Sequence, residues 1–261
     1  NGSGDLTIAG TTANTYTTAS INDGTFILDS SNLLSNALDL NVASAGGFTM
    51  SSGSDDAIDT LTSAGDLNIG SGSVLTLNGG VISGGDGSAS TGTIALASGA
   101  ASTLQIAGDF DFGGTIELTA GSTLALAGAG TQFDLGTLSI TGNSTLDFGA
   151  GVATTLNLDN LFIAPGVTLT VTNWMENIDL WTASFFDGAT INVRDDDTAQ
   201  IVFSGYSGGN TIWQTGPGGA FPAFPGEITV PEPSTYGAFL MGSGLALWTL
   251  RRKRRSYVPA A

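Results

Sequence analysis

Thr103-Leu104-Gln105-Ile106, Thr123-Leu124-Ala125-Leu126 and Thr145-Leu146-Asp147-Phe148 share one four-residue pattern: a small or polar residue, then apolar, polar, apolar. Alternation of this kind places both apolar side chains on one face of a short strand. The unit recurs outward in both directions, as Asp66-Leu67-Asn68-Ile69, Val74-Leu75-Thr76-Leu77, Thr93-Ile94-Ala95-Leu96, Thr115-Ile116-Glu117-Leu118, Thr137-Leu138-Ser139-Ile140, Thr155-Leu156-Asn157-Leu158, Thr168-Leu169-Thr170-Val171 and Thr190-Ile191-Asn192-Val193. Gly, Asn or Asp usually follows and turns the chain.

The spacing between units says more than the units do. Counting from first apolar residues, Leu104 to Leu124 is 20 positions, Ile116 to Leu138 is 22, Leu124 to Leu146 is 22, Leu146 to Leu169 is 23 and Leu169 to Ile191 is 22, with an outlying 19 from Leu75 to Ile94. Two or more short strands in each such interval is the rhythm of a β-solenoid, whose coils cannot bury an apolar face alone and must stack. A β-sandwich also gives short strands, at roughly 8 to 12-residue spacing, but not this longer period. The expectation is therefore an all-β parallel β-solenoid (β-helix) in which Leu104, Leu124, Leu146 and Leu169 point inward and stack in register.

Residues 66–171 form the clearest repeats. Residues 1–65 carry weaker units, Asp5-Leu6-Thr7-Ile8, Thr25-Phe26-Ile27-Leu28 and Leu38-Asp39-Leu40-Asn41-Val42, and are expected to extend the solenoid. Leu33, Leu34 and Leu38 recur at helical spacing, so Ser30 to Leu40 has one or two helical turns as an alternative. Over residues 172–215 the texture changes to irregular large aromatics, Trp174, Trp181, Phe185, Phe186 and Trp213, which suit a β-rich aromatic C-terminal cap over the end of a solenoid. Residues 216–229 read as a Gly/Pro linker. The start, Asn1-Gly2-Ser3-Gly4-Asp5, lacks an initiator Met and a basic-then-apolar signal peptide, and is expected to be a trimmed or incomplete end.

Charge excludes several functions. Five of the six basic residues lie in one run, Arg251, Arg252, Lys253, Arg254 and Arg255, and only Arg194 is basic in residues 1–250, which hold all 23 acidic residues and so carry a net −22. Such a body repels nucleic acid, whose binding needs phosphate neutralisation by Lys and Arg. Cysteine and histidine are both absent. Disulfides, thiolate metal sites and Ser-His or Cys-His pairs are therefore excluded.

Residues 230–255 hold three elements in order: Val230-Pro231-Glu232-Pro233-Ser234-Thr235, the uncharged stretch Tyr236 to Leu250, and the basic run Arg251 to Arg255. As one hydrophobic helix, 236–250 would reach about 22 Å, short of the ~30 Å hydrocarbon core, yet able to cross a locally thinned bilayer with its arginines snorkelling. The positive-inside rule keeps the basic cluster cytoplasmic and leaves the acidic body outside.

This arrangement resembles the PEP-CTERM sorting signal of Gram-negative bacteria that make exopolysaccharide. The resemblance implies recognition at Pro231, Glu232 and Pro233 by a membrane-embedded exosortase, a cysteine transpeptidase-like processing enzyme, with removal of helix and basic tail. It also implies a transient inner-membrane precursor and a mature form at the outer surface or outside the cell. Leu169-Thr170-Val171-Thr172-Asn173-Trp174, Ile201-Val202-Phe203-Ser204-Gly205-Tyr206 and Gly226-Glu227-Ile228 are similar to the terminal module of exported proteins built from autotransporter-associated β-strand repeats. That similarity implies a β-helical, passenger-like stalk.

Chemistry in the body would have to come from carboxylates, with Asp109 and Asp111, or Asp55, Asp56 and Asp59, as candidates for paired-acid glycoside hydrolysis. Calcium is the fitting ion, since oxygen ligands are all the body offers, with Asp195, Asp196 and Asp197 or Gly84-Gly85-Asp86-Gly87 as candidate sites. Neither matches an EF-hand loop or the Gly-Gly-x-Gly-x-Asp repeat. Aspartate beside glycine is more often a turn residue. The sequence thus points to a non-catalytic structural or adhesive protein of the cell surface or exopolysaccharide matrix, with extracellular polysaccharide as a possible partner. The alternative is a polysaccharide-binding or polysaccharide-cleaving β-helix enzyme.

Overall fold

A computed structural model describes residues 4–205 apart from 11, 13, 100–101, 129–130, 152, 176–178 and 189–199, together with 212–213 and 228–229. The described strands are β1 (Leu6–Ile8), β2 (Thr18–Ile21), β3 (Gly24–Leu28), β4 (Asp39–Val42), β5 (Gly46–Met50), β6 (Asp55–Ser63), β7 (Asp66–Ile69), β8 (Val74–Ile82), β9 (Thr93–Leu96) and β10 (Thr103–Ile106). They continue with β11 (Phe110–Leu118), β12 (Thr123–Leu126), β13 (Thr131–Ile140), β14 (Ser144–Asp147), β15 (Thr154–Ile163), β16 (Leu169–Thr172), β17 (Leu180–Gly188), β18 (Ile201–Phe203), β19 (Ile212–Trp213) and β20 (Ile228–Thr229). Apart from the antiparallel β19–β20 pair, every pairing among the described strands is parallel and joins a strand to one in the next coil. The body is a parallel β-solenoid of about eight turns.

From β5 onward each turn visits three faces, whereas the first two turns have described strands on the first and third only. The first stacks β1, β3, β5 and β7, passes through Gly87, and continues with the leading halves of β11, β13, β15 and β17. The second stacks the leading halves of β6 and β8, then β9, then the trailing halves of β11, β13, β15 and β17. The third runs β2, β4, the trailing halves of β6 and β8, then β10, β12, β14, β16 and β18. Parallel strands need their inward residues covered from above and below, and these faces supply it. Ile94, Ile116, Leu138 and Leu161 stack as one fully buried column.

The expected leucine column is present with one change. Leu104, Leu124 and Leu146 pair in succession, but the next residue in line is Val171, then Phe203. Leu169 also points inward and is buried, yet lies over Ser144 and under Ile201, two residues out of the expected column. The coil-to-coil step on this face lengthens there to 25, because the turn preceding β16 is longer. The 19-residue gap from Leu75 to Ile94 is an ordinary coil, with the two residues directly paired.

Ser30 to Leu40 contains no helix; Leu33, Leu34 and Leu38 are buried beside β6 without forming a full strand of their own. Corners are tight enough to need glycine. A Cβ on Gly114 would lie 2.3 Å from the Gly92 carbonyl oxygen and 2.9 Å from the Phe112 ring. Gly80 occupies an inward slot of β8 between Leu61 and Leu104, and a Cβ there would lie 2.2 Å from the Leu61 carbonyl oxygen.

Candidate functional site

Many of the described acidic residues occupy edges and outer faces of the strands, and several carboxylates reach to the neighbouring coil. Asp39 accepts from the Thr60 hydroxyl at 2.6 Å, Asp59 from the Asn78 amide at 2.9 Å, and Asp134 from the Asn157 amide at 2.7 Å. Asp5, Asp55, Asp66 and Asp109 accept backbone N–H bonds from Thr25, Val74, Asp86 and Gln132, at 2.9–3.1 Å. These partners lie 19 to 23 residues apart in sequence, one coil. Carboxylates here act as clips between coils, supplied with N–H and O–H donors by the next turn. All six basic residues lie outside the described residues.

Among the described residues two aspartates are buried. In β6 the alternation turns Asp56 inward, at the level of Leu75 in the next coil. Its carboxylate accepts from the Leu33 and Leu34 amides at 2.9 and 3.0 Å. Those amides belong to the segment that has no full strand pairing, so the side chain supplies acceptors the ladder does not. Burial raises the Asp56 carboxyl above its ordinary value of 3.8, partly opposed by those amides. Asp179 is likewise raised by burial and accepts from the Thr154 and Met175 amides at 3.0 and 2.6 Å.

The expected acid groupings disperse. Asp55, Asp56 and Asp59 address Val74, the Leu33–Leu34 amides and Asn78 respectively, in three directions. Asp109 precedes β11 and holds the Gln132 amide, whereas Asp111, outward on β11, stands in register with Asp134. Desolvation, then the charges of Asp134, Asp86 and Asp159, raise the Asp111 carboxyl. Asp134 is itself held by Gln132 and Asn157, and the row continues as Asn157 and Thr182, linked at 2.8 Å. Asp86, of the Gly84–Gly87 candidate, has its carboxyl lowered first by the Ser88 hydroxyl and then by the Ser88 backbone N–H, which it accepts at 2.8 Å. Among the described residues no group of three or more acidic side chains is arranged to hold a metal ion. Asp195, Asp196 and Asp197 lie outside the described residues, as does Arg194.

Toward the C-terminal end the rings of Phe148, Trp174, Trp181 and Phe203 converge, Trp174 standing edge-on to Phe148 at 4.9 Å and to Phe203 at 5.2 Å. All four are buried, in the interior and not on an outer platform. Ile228 of β20, in the stretch read as linker, is buried in the same continuous core. The expected helix 236–250, Pro231, Glu232 and Pro233, and Arg251 to Arg255 lie outside the described residues. No described helix is long and apolar enough to cross a membrane.

The architecture is that of an all-β parallel solenoid, and the sequence beyond it has an identifiable signal. Residues 229–255 match the PEP-CTERM protein-sorting motif. The chain is thereby marked as an exported protein sorted by an exosortase, made as a membrane-anchored precursor and processed for the cell surface. No curated protein and no solved structure matches the chain.

Proposed function

We propose that the mature body is a non-catalytic structural or adhesive protein of the cell surface or exopolysaccharide matrix, with the solenoid serving as a stalk of passenger-like, autotransporter-repeat type. The observation that carries the reading is the sorting motif at residues 229–255 joined to a repetitive body. The dispersal of the acids supports it: carboxylates used as clips between coils are committed to stability rather than gathered around a sugar bond, where paired acids would be needed. The aromatic residues near the end of the body support a packed C-terminal cap.

In this reading the apolar stretch 236–250 and Arg251 to Arg255 hold the precursor in the inner membrane with the body outside the cytoplasm, by the positive-inside rule. Cleavage near Pro231-Glu232-Pro233 removes the lipid-seeking stretch and five positive charges together. The released acidic body then leaves for the outer surface or matrix.

Cell fractionation tests this directly. Replacing Pro231, Glu232 and Pro233 by alanine is expected to leave a full-length, membrane-retained protein, as is deletion of the processing enzyme. Neutralising Arg251 to Arg255 is expected instead to disturb orientation. An alanine variant processed and exported like the parent would reduce the stretch to a linker and remove the reading.

A further inference from the structure

Body and sorting signal share a strand. β20 pairs antiparallel with β19 and packs against β17, which ends the stack of the first and second faces among the described strands. Its Ile228 is 1% exposed and belongs to the continuous core. The sorting motif begins at residue 229, the second residue of the same strand, and Pro231 follows Ile228 by three positions. No spacer separates the last buried side chain among the described residues from the signal that an exosortase reads.

Chain geometry makes this a limit on reach. An extended chain spans at most about 3.6 Å per residue, so a docked Ile228 keeps Pro231 within about 11 Å, Pro233 within about 18 Å and Tyr236, where the apolar stretch starts, within about 29 Å. A membrane-embedded enzyme would have to work in the gap that this leaves between body and bilayer. Cleavage of a chain also takes place on a locally opened stretch, whose backbone the enzyme can pair with. The Ile228–Thr229 backbone is instead committed to Ile212 and Trp213. Release of β20 lifts both restrictions, and a two-residue strand can open without unfolding the coils beneath it.

We propose that β20 is a clasp on the sorting signal: while Ile228 sits in the core the motif is withheld from the processing enzyme, and release of Ile228 is the step that admits it. The proposal rests on sorting by an exosortase, and Ile228 acts in it as a positioning residue, distinct from the motif itself. Once cleavage has removed the apolar stretch and the basic run, β20 can return to its place against β17. The mature body then keeps Ile228 in its core.

Pulse-chase labelling of the full-length chain, in cells that make the processing enzyme, follows precursor and mature forms. Ile228→Ser is expected to speed processing about threefold or more, because cleavage of an opened segment follows the population of the open form. The chain has no cysteine, and Ile212 and Thr229 are opposed in the antiparallel pair, so Ile212→Cys with Thr229→Cys makes a single disulfide available across the clasp. The oxidised pair is expected to be processed about tenfold or more slowly relative to either single-cysteine variant, with reductant restoring the rate. An oxidised pair processed at the single-cysteine rate would overturn the proposal, as would Ile228→Ser processed no faster than the parent in a body that still folds. Where Ile228→Ser does not fold, the cysteine pair decides alone. Failure of the sorting reading shows separately, as processing of the Pro231, Glu232 and Pro233 alanine variant at the parent's rate.

Discussion

A double-mutant cycle on the third face gives the sharpest check of the coil register. Leu146 is fully buried between Leu124 below and Val171 above, with Leu169 offset onto Ser144. Leu146→Ala removes a buried isobutyl group from a stack held on both sides, which costs about 2–5 kcal/mol, the transfer loss plus whatever cavity fails to close. Val171→Ala costs less, about one to two methylene equivalents at ~0.8 kcal/mol each plus its own cavity. Residues in direct contact couple by about 0.5–3 kcal/mol. In a solenoid each coil answers only to its neighbours, so coupling should follow the stack closely. Leu146 with Val171 is expected to couple clearly, and Leu146 with Leu169 more weakly. The assay is urea unfolding of residues 1–229 followed by circular dichroism, with Thr145→Ala as the outward-facing control, expected to lie within about 0.5 kcal/mol of the parent. Stronger coupling of Leu146 to Leu169 than to Val171 would refute the register.

Gly114→Ala is expected to destabilise the same body by well over 1 kcal/mol, because the added carbon meets a backbone oxygen at 2.3 Å and overpacking of this kind typically costs about 1–3 kcal/mol; a melting temperature equal to the parent's would mean the corner is looser than drawn. Acidification provides a third test. Asp56 and Asp179 are raised in the fold above 3.8, so the native state holds more protons than the unfolded chain across that window. Their contribution to stability is complete below the unfolded value and is lost as pH rises through the folded values. Mild acidification from neutral pH should thus raise the melting temperature, and Asp56→Asn with Asp179→Asn should flatten the slope. An unchanged slope in the double variant would assign the effect to other groups.

Much of this architecture was legible because the inward residues of a parallel solenoid alternate and recur. Leu104, Leu124 and Leu146 announce both strand and coil, and even the weak units at Leu6, Phe26 and Leu40 fall on real strands. Register was less legible, since a 23-residue gap names Leu169 while the longer preceding turn delivers Val171 to the column. Gly79 and Gly80 resemble a turn but form the middle of β8, because a coil approaching a carbonyl this closely leaves no room for a side chain. The leading half of β11, Phe110-Asp111-Phe112, was hidden in the same way by the two glycines that follow it and bend the strand between faces. The part played by the aspartates could not be read locally at all. Their donors stand a whole coil away, and Asp56 in particular looks like one of a surface cluster until its place opposite Leu33 and Leu34 is known.

The same clips determine how so acidic a body responds to salt. Within the described residues no Lys or Arg is present to neutralise the carboxylates, so their stabilisation comes from N–H and O–H donors at contact distance, as with Asp59 and Asn78 or Asp134 and Asn157. Bonds of that kind act inside a single molecular diameter and are little affected by mobile ions. What ions do screen is the repulsion among acids in successive coils, such as Asp111 and Asp134, whose register leaves them side by side. The Debye length falls from about 10 Å at 0.1 M to about 3 Å at 1 M, which brings it below the roughly 4.8 Å between neighbouring strands. Sodium chloride is therefore expected to raise the melting temperature of residues 1–229 steadily across that range, and Asp111→Asn to reduce the dependence. A melting temperature that falls with added sodium chloride would show that attraction between opposite charges, and not these donor clips, holds the acidic coils together.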